Sequence, residues 1–218
     1  MSGDPSLRAV VFDFGGVLIT PITRTFSRLA DSLGIDGPTM REIFMGPLDR
    51  TTDHPWQQAE QGRLAVADIQ DRLPPYAAAH GVELAGDEMT RLLGTQHFEV
   101  VDEMVDAVRR SRDRGRQTAL LTNTFVEFRP TLEQVLDLSL FDVVVESSAI
   151  GARKPDVEAY RATMDALDVD RPDEAVFLDD FGPNLDAAAA FGLRTIHVTD
   201  PGPAIAELDL LLGEDARP

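Results

Sequence analysis

The sequence places carboxylates directly after two of its apolar runs. Asp13 follows the run at 9–12, and the adjacent pair Asp179 and Asp180 follows the run at 175–178. Three carboxylates brought together repel one another unless a cation lies among them. Oxygen ligands without histidine or cysteine favour Mg²⁺. We therefore expect a Mg²⁺ site that uses Asp13, Asp179 and Asp180.

Three further residues could hold a phosphoryl group beside these carboxylates. Thr122 and Asn123 end another apolar run, and Lys154 precedes a segment with helical periodicity. A lysine and a hydroxyl next to a cation provide partners for the remaining phosphoryl oxygens. A carboxylate can also act as a nucleophile and form an aspartyl phosphate. This combination predicts phosphoryl transfer.

Lys154 is unusual because it is the only lysine of the chain, whose basic residues number 20. All the others are arginines. A compact ammonium group differs chemically from a planar guanidinium at a phosphate site. We therefore expect a chemical role for Lys154 rather than that of a solvated surface charge.

Short apolar runs alternate with segments of helical periodicity along the chain. The runs lie at 9–12, 118–121, 143–145, 175–178 and 195–198. Runs that are apolar on both faces are typical of buried parallel strands. The pattern predicts an α/β fold with a Rossmann-like parallel sheet. Ligands bind beyond the carboxyl ends of such strands, so the polar residues should meet at one edge of the sheet.

The stretch from residue 20 to residue 96 is much longer than the ~30 residues that a strand–helix unit needs. It contains helical patterns interrupted by prolines and no convincing strand. We therefore predict an inserted α-helical cap at 20–96. The α/β core would then consist of residues 1–19 and 97–218.

Composition disfavours several other classes of protein. The formal net charge is −18, and against that balance no group of basic residues is a plausible footprint for nucleic acid or an anionic membrane, so neither is an expected partner. The chain has no cysteine, which excludes disulfides, cysteine-bound zinc and thiol nucleophiles. No signal peptide or membrane-spanning run is recognisable, and a cytoplasmic location is expected. The expected partner is a small-molecule phosphate ester; the sequence does not indicate an oligomeric state.

Four segments resemble the motifs of the haloacid dehalogenase-like (HAD) hydrolases in order and spacing. They are Val10–Leu18, Leu120–Asn123, Arg153–Asp156 and Phe177–Asn184. The stretch at 176–212 is most similar to the subgroup that contains the N-terminal phosphatase domain of soluble epoxide hydrolase. The resemblance implies a Mg²⁺-dependent phosphomonoester hydrolase that acts on a small phosphorylated metabolite through an aspartyl phosphate.

The resemblance also implies catalytic roles for individual residues. Asp13 matches the nucleophile, which also binds the metal, and the carbonyl oxygen of Gly15 matches a backbone metal ligand. Thr122 matches the hydroxyl that holds a phosphoryl oxygen, and Asn123 lies next to it. Lys154 matches the lysine that steadies both the nucleophile and the phosphate.

The remaining metal-site residues lie in the last motif. Asp180 matches the carboxylate that binds the metal directly. Asp179 and Asn184 match its close neighbours, which act directly or through water.

Gly15 is also the point at which the sequence departs from the family. Most phosphatases of this superfamily have an aspartate there, which serves as general acid and base. Such help contributes typically ~10²- to 10⁴-fold to the rate. Its absence favours leaving groups that need little protonation, such as those of anomeric sugar phosphates or acyl phosphates. It also motivates an alternative, a catalytically weak relative that binds a phosphorylated ligand or a protein partner.

Other activities of the superfamily fit the sequence less well. A phosphomutase depends on the acid that is absent at Gly15, and phosphonate cleavage requires a cap lysine that the chain lacks. A metal-free haloacid dehalogenase has no use for the adjacent Asp179 and Asp180, which repel each other without a cation.

Three residues are candidates for substrate binding. In the predicted cap, His54 and Trp56 precede Glu60 where this superfamily places substrate-selecting residues, and Gly16 follows the nucleophile motif. His54 or Trp56 could line the roof of the pocket, and His54 could stand in for the missing acid. Alternatively, Trp56 packs in the core of the cap and His54 lies in a solvated turn. The sequence favours this alternative for His54 and leaves both open for Trp56.

Overall fold

A five-stranded parallel sheet forms the centre of the computed structural model, which describes residues 6–21, 23–94 and 98–214. The strands β1 to β5 span Ala9–Phe12, Gln117–Thr122, Val143–Glu146, Ala175–Asp179 and Arg194–His197. Their order in the sheet is β3-β2-β1-β4-β5, and every pairing is parallel. The predicted α/β fold with a Rossmann-like sheet is confirmed, and each predicted run overlaps a strand.

Helices cover both faces of the sheet. The helices from α6, which directly precedes β2, to α11 lie at Asp102–Asp113, Arg129–Val135, Ser147–Ile150, Val157–Leu167, Gly182–Phe191 and Pro201–Glu214. Buried side chains of α6, α7 and α11 pack on one face, and those of α9 and α10 pack on the other. This two-sided burial explains why the strands are apolar on both faces.

A group of helices, which we call the helical region, lies between β1 and α6. It comprises α1 to α5, at Thr23–Leu33, Gly37–Phe44, Pro55–Glu60, Pro74–Ala79 and Glu88–Gly94. These helices share a separate hydrophobic cluster, which Phe125 joins from the loop after β2. Prolines begin α3 and α4, where the missing N–H of proline has no cost.

Two antiparallel chain segments connect the helical region to the sheet. The N–H of Thr20 donates to the carbonyl of Glu99, and the N–H of Val101 donates to the carbonyl of Leu18, each at 2.9 Å. The predicted domain boundary at 19/20 lies within the first of these two segments, between Leu18 and Thr20. The second proposed boundary, at 96/97, lies outside the described residues, and the division into domains stays a prediction.

The strand register determines which residues meet at the carboxyl edge. Phe12 of β1 pairs with Leu120 of β2 and with Leu178 of β4. Asp13 and Asp179, one position further along, therefore lie level on adjacent strands. No helix within the described part of the chain has both the length and the apolar character needed to cross a bilayer.

Candidate active site

Three carboxylates meet at the carboxyl edge of β1 and β4. Asp13, Asp179 and Asp180 each offer an oxygen atom, and these atoms lie within 4.8 Å of one another. The structure therefore brings together the three carboxylates for which we predicted metal binding. Their proximity follows from the parallel register of two strands that are far apart in sequence.

Lys154 bridges two of these carboxylates. Its Nζ lies 2.7 Å from Oδ1 of Asp13 and 2.8 Å from Oδ2 of Asp179, and the residue is only 1% exposed. The ammonium group also lies 5.1 Å from the centre of the Phe177 ring. Burial alone would lower the pKa of Lys154, but the two carboxylates outweigh burial and raise it. Lys154 is therefore positively charged.

Three hydrogen-bond donors fix the carboxylate of Asp179, the last residue of β4. Its Oδ1 accepts a hydrogen bond from the N–H of Phe181 at 2.8 Å, and its Oδ2 accepts from Nδ2 of Asn184 at 3.0 Å and from Lys154. The fully buried carboxylate lies at the start of α10, where the helix dipole favours negative charge. Asn184, predicted as a neighbour of the metal site, is thus placed to orient Asp179.

The site carries more negative than positive charge. Burial and the neighbouring carboxylates raise the pKa of Asp13, against the opposing effect of Lys154. Burial and Asp179 raise the pKa of Asp180 to about 6. Three carboxylates with one ammonium group leave an excess of two negative charges, which fits a divalent cation. The oxygen donors fit Mg²⁺ in particular, because Mg²⁺ prefers carboxylate, carbonyl and water ligands.

Gly16 makes the approach of Asp180 possible. Its φ is +80°, and a Cβ at this position would lie 2.1 Å from Oδ2 of Asp180. Any other residue would combine backbone strain with a clash. Gly16, predicted to bind substrate, is not among the residues that line the cavity at the site. The structure gives this glycine a packing role against Asp180, and its part in substrate binding stays a prediction.

Thr122 and Asn123 lie at the end of β2, facing the same edge. Thr122 is 4% exposed and lines the cavity. The side chain of Asn123 makes two hydrogen bonds to the main chain of Lys154: Oδ1 accepts from its N–H at 2.8 Å, and Nδ2 donates to its carbonyl at 2.9 Å. Asn123 therefore fixes the loop that carries Lys154, a contact that the motif alone did not indicate.

A cavity of about 180 Å³ opens at the carboxylates. Asp13, Gly15, Lys154 and Asn184 line it on the polar side. Its other side is a group of rings from the helical region and from segments next to the sheet, which we call the aromatic wall: Phe14, Trp56, Phe98, Phe125 and Phe128. Several of these rings meet at angles typical of edge-on contact, as in Trp56 against Phe125, with centroids 4.8 Å apart. The sequence analysis missed the four phenylalanines.

Trp56 fulfils both roles that the sequence left open. It is 4% exposed within the hydrophobic cluster of the helical region, and it also lines the cavity. Its Nε1 donates to Oε1 of Glu60 at 2.9 Å, and Oε2 of Glu60 accepts from Nε of Arg153 at 2.7 Å. This buried chain joins α3 to the residue before Lys154. The i,i+4 spacing of Trp56 and Glu60 could have indicated their contact.

His54 lies elsewhere, and the expectation of a solvated turn is wrong. The residue is 2% exposed and does not line the cavity. Its Nε2 lies 3.1 Å from the carbonyl oxygen of Ile43, and its Nδ1 accepts from the N–H of Trp56 at 3.3 Å. It caps the N-terminus of α3. Burial lowers the pKa of His54 to about 4, so the ring is neutral at pH 7.

His54 should make the stability of the protein depend on pH. Because its folded-state pKa is below the ordinary value, its contribution is complete above pH 6.5 and is lost as the pH falls towards 4. We expect this group to lower the free energy of unfolding by up to about 3 kcal/mol over that range. Urea unfolding at pH 7, 5.5 and 4.5 measures the loss. His54→Asn, which keeps a capping side chain, should lose less than wild type; equal losses would refute the assignment, and exposed His80→Asn serves as control.

The sequence matches a family model and several longer proteins. A model described as haloacid dehalogenase-like hydrolase matches residues 7–192. The chain is 36% identical to acyl-CoA dehydrogenase family member 10 of Mus musculus over 97% of its own length and 20% of that protein. It is 29% identical to bifunctional epoxide hydrolase 2 of Sus scrofa over 95% of its length and 39% of that protein. The chain thus spans less than half of these relatives.

Two further relatives match over nearly their whole length. A sesquiterpene phosphatase of Aspergillus oryzae is 28% identical, with 95% of this chain and 98% of that protein covered. A HAD family enzyme from Bacteroides thetaiotaomicron, solved in complex with magnesium and inorganic phosphate, superposes with a TM-score of 0.65. It is 19% identical, with 90% of this chain and 96% of that chain covered, so it supports the fold.

Proposed function

Because the chain belongs to the haloacid dehalogenase-like hydrolases, we propose that it is a Mg²⁺-dependent phosphomonoester hydrolase that acts through an aspartyl phosphate on Asp13. The observation that carries the proposal is the bridge from Lys154 to Asp13 and Asp179, with Asp180 beside it. This arrangement combines a nucleophile, a fixed positive charge and a set of oxygen ligands at one end of a cavity. A sesquiterpene phosphatase among the relatives is consistent with this chemistry.

In the first step, a carboxylate oxygen of Asp13 attacks phosphorus while the bond from phosphorus to the ester oxygen breaks. Lys154 holds Oδ1 of Asp13 and thereby orients the carboxylate for attack. Its charge also stabilises the negative phosphoryl oxygens. In the second step, water attacks phosphorus, the bond to Asp13 breaks, and inorganic phosphate leaves. Thr122 provides a hydroxyl that can donate to a phosphoryl oxygen in both steps.

The residues proposed to hold Mg²⁺ are Asp13, Asp180 and the carbonyl of Gly15. Asp179 is more suited to bind through water, because both of its oxygens already accept hydrogen bonds. When bound, the ion neutralises charge on the phosphoryl group during transfer. The structure of the Bacteroides thetaiotaomicron relative, which contains magnesium and phosphate, supports this choice of ion.

Removal of Mg²⁺ should abolish phosphate release. We expect EDTA to lower the rate by ~10³-fold or more, because the ion supplies several kcal/mol of charge stabilisation, and excess Mg²⁺ to restore it. The measurement is phosphate release from p-nitrophenyl, anomeric sugar, acyl and lysophospholipid phosphates, each with Mg²⁺ and with EDTA.

Two results would overturn the proposal. Chloride release from 2-chloropropionate in EDTA, without phosphatase activity, would identify a dehalogenase. Folded protein that binds Mg²⁺ but turns over none of the esters would support the alternative of a binding protein. That alternative was suggested by the glycine at position 15, where most phosphatases of the superfamily have an acid.

A further inference from the structure

We infer that the preferred substrates are aryl phosphates, in which the phosphate is attached to a planar apolar ring. The inference rests on the proposed function and adds to it the class of leaving group. Two independent features of the cavity support it: the lack of a proton donor for the leaving group and the aromatic wall.

The cavity has no acidic group free to protonate a leaving oxygen among the described residues that line it. Its carboxylates are Asp13, which attacks, and Glu60. The oxygens of Glu60 accept hydrogen bonds from Trp56 and from the guanidinium of Arg153, so neither holds a proton to donate. Lys154 already donates to two carboxylates. The leaving group must therefore depart as an anion.

Gly15 has no side chain, so the space that an acidic side chain would occupy at this position is empty. It lines the cavity, and a Cβ built on it would meet nothing within 4 Å. Its side of the cavity is therefore available to the substrate. Phenols ionise with a pKa of about 10, as the tyrosine side chain does, whereas alkyl alcohols are far weaker acids. An aryl oxygen can leave without a proton from the protein.

The aromatic wall selects the kind of group that carries this oxygen. An apolar cavity of about 150 Å³ accommodates benzene, and the cavity at the site measures about 180 Å³. Its volume is therefore close to what one ring needs, and Asp13 lies in its wall. The rings of Phe98 and Phe128, with centroids 5.3 Å apart, present apolar surface to it. A sugar would find few partners for its hydroxyls there, so anomeric sugar phosphates, which the sequence suggested, fit less well.

The first test compares phosphate release from three esters in Mg²⁺. Phenyl phosphate and benzyl phosphate carry the same ring but differ in leaving-group pKa, and glucose 1-phosphate is polar. We expect kcat/KM for phenyl phosphate to exceed that for benzyl phosphate by ~10²-fold or more, the contribution that a general acid would make. We expect a lower value for glucose 1-phosphate as well. No turnover of any ester would overturn the proposed function; benzyl or glucose phosphate turned over as well as phenyl phosphate would overturn only the present inference.

A matched pair of variants tests the missing proton donor. Gly15→Asp should raise the ratio of kcat/KM for benzyl phosphate over phenyl phosphate by ~10-fold or more, because the new carboxyl group can protonate the poorer leaving group. Gly15→Asn has nearly the same shape but no acidic proton, and should leave the ratio near that of wild type. An equal rise in both variants, or no rise with aspartate, would refute this account of selectivity.

A variant of Phe128 tests the aromatic wall. Acetyl phosphate has a good leaving group but no ring. Phe128→Leu should lower the ratio of kcat/KM for phenyl over acetyl phosphate by ~5- to 10-fold, the loss expected for one aromatic contact. Val126→Ala, at a neighbouring side chain that is 60% exposed, is the control. A ratio that does not change in Phe128→Leu would show that the ring of the substrate does not contact this wall.

Discussion

Asp13→Asn should lower kcat for phosphate release by ~10⁴-fold or more, the scale seen when a catalytic nucleophile is removed. An amide is a poor nucleophile, so the aspartyl phosphate cannot form. The substitution also removes one of the two negative partners of Lys154, whose Nζ lies 2.7 Å from the Asp13 carboxylate. Single-turnover kinetics with phenyl phosphate measure the effect, and Asp31→Asn, at an exposed position, should retain full activity.

The intermediate gives this prediction a second readout. Acid quenching of wild-type protein during turnover should leave a phosphoryl group on the peptide that contains Asp13, detected by mass spectrometry. The variant should show none, while its thermal unfolding remains cooperative. If the variant kept activity within tenfold of wild type, another group would be the nucleophile, and the role of Asp13 would be restricted to metal binding.

The sheet and the residues at its carboxyl edge were predictable because both depend on local patterns. A continuous apolar run indicates a strand buried on both faces, and the polar residue after it must lie at the edge. Asp13, Thr122 and Asp179 were placed in this way. The parallel register brings Asp13 level with Asp179, and Thr122 lies one position further along on β2. Predicting the strands and the polar residues after them required no knowledge of contacts between residues far apart in the sequence.

Other features depend on contacts that no local pattern contains. The need for glycine at position 16 arises from Asp180, far along the chain. The burial of His54 depends on the carbonyl of Ile43 and on the packing of the helical region. The aromatic wall combines rings from the loop after β1, from α3, and from the segment around residues 98–128. Their convergence results from the tertiary fold.

Asn123 shows how a motif can identify a residue but not what it does. Its position beside Thr122 suggested contact with the phosphate. In the structure Asn123 lines the cavity, and its amide also bonds to both main-chain polar groups of Lys154. The loop that follows β3 is thereby attached to the end of β2, which places the ammonium group between Asp13 and Asp179. The motif carries the geometry of the site as well as its chemistry.

Lys154→Met should lower the free energy of unfolding by about 3–5 kcal/mol, the cost of leaving buried charges without their partner. The lysine is 1% exposed and contacts two carboxylates, so its removal leaves Asp13 and Asp179 without the positive charge between them. Urea unfolding measures the loss. Arg171→Met removes an ion pair whose side chains are 58% and 47% exposed, and such surface pairs are worth about 1 kcal/mol or less.

Arginine should not replace this lysine. Lys154→Arg keeps the charge, but the planar guanidinium cannot reproduce a single nitrogen that lies 2.7 and 2.8 Å from two different carboxylates. We therefore expect kcat to fall by ~10²-fold or more in this variant, as in Lys154→Met, because correct placement of one charged group is worth that much in a preorganised site. Activity of the arginine variant near that of wild type would mean that only the charge matters, not its position.

The pH dependence distinguishes loss of charge from loss of packing. Burial already raises the pKa of Asp13, and loss of Lys154 removes the positive charge that opposes this rise, so the folded protein takes up a proton there more readily than the unfolded chain. A folded-state pKa above the unfolded value makes stability fall as the pH rises. The deficit of Lys154→Met relative to wild type should therefore be larger at pH 8 than at pH 5. A deficit that is equal at both values would assign the loss to the packing of the buried Lys154 side chain rather than to its charge.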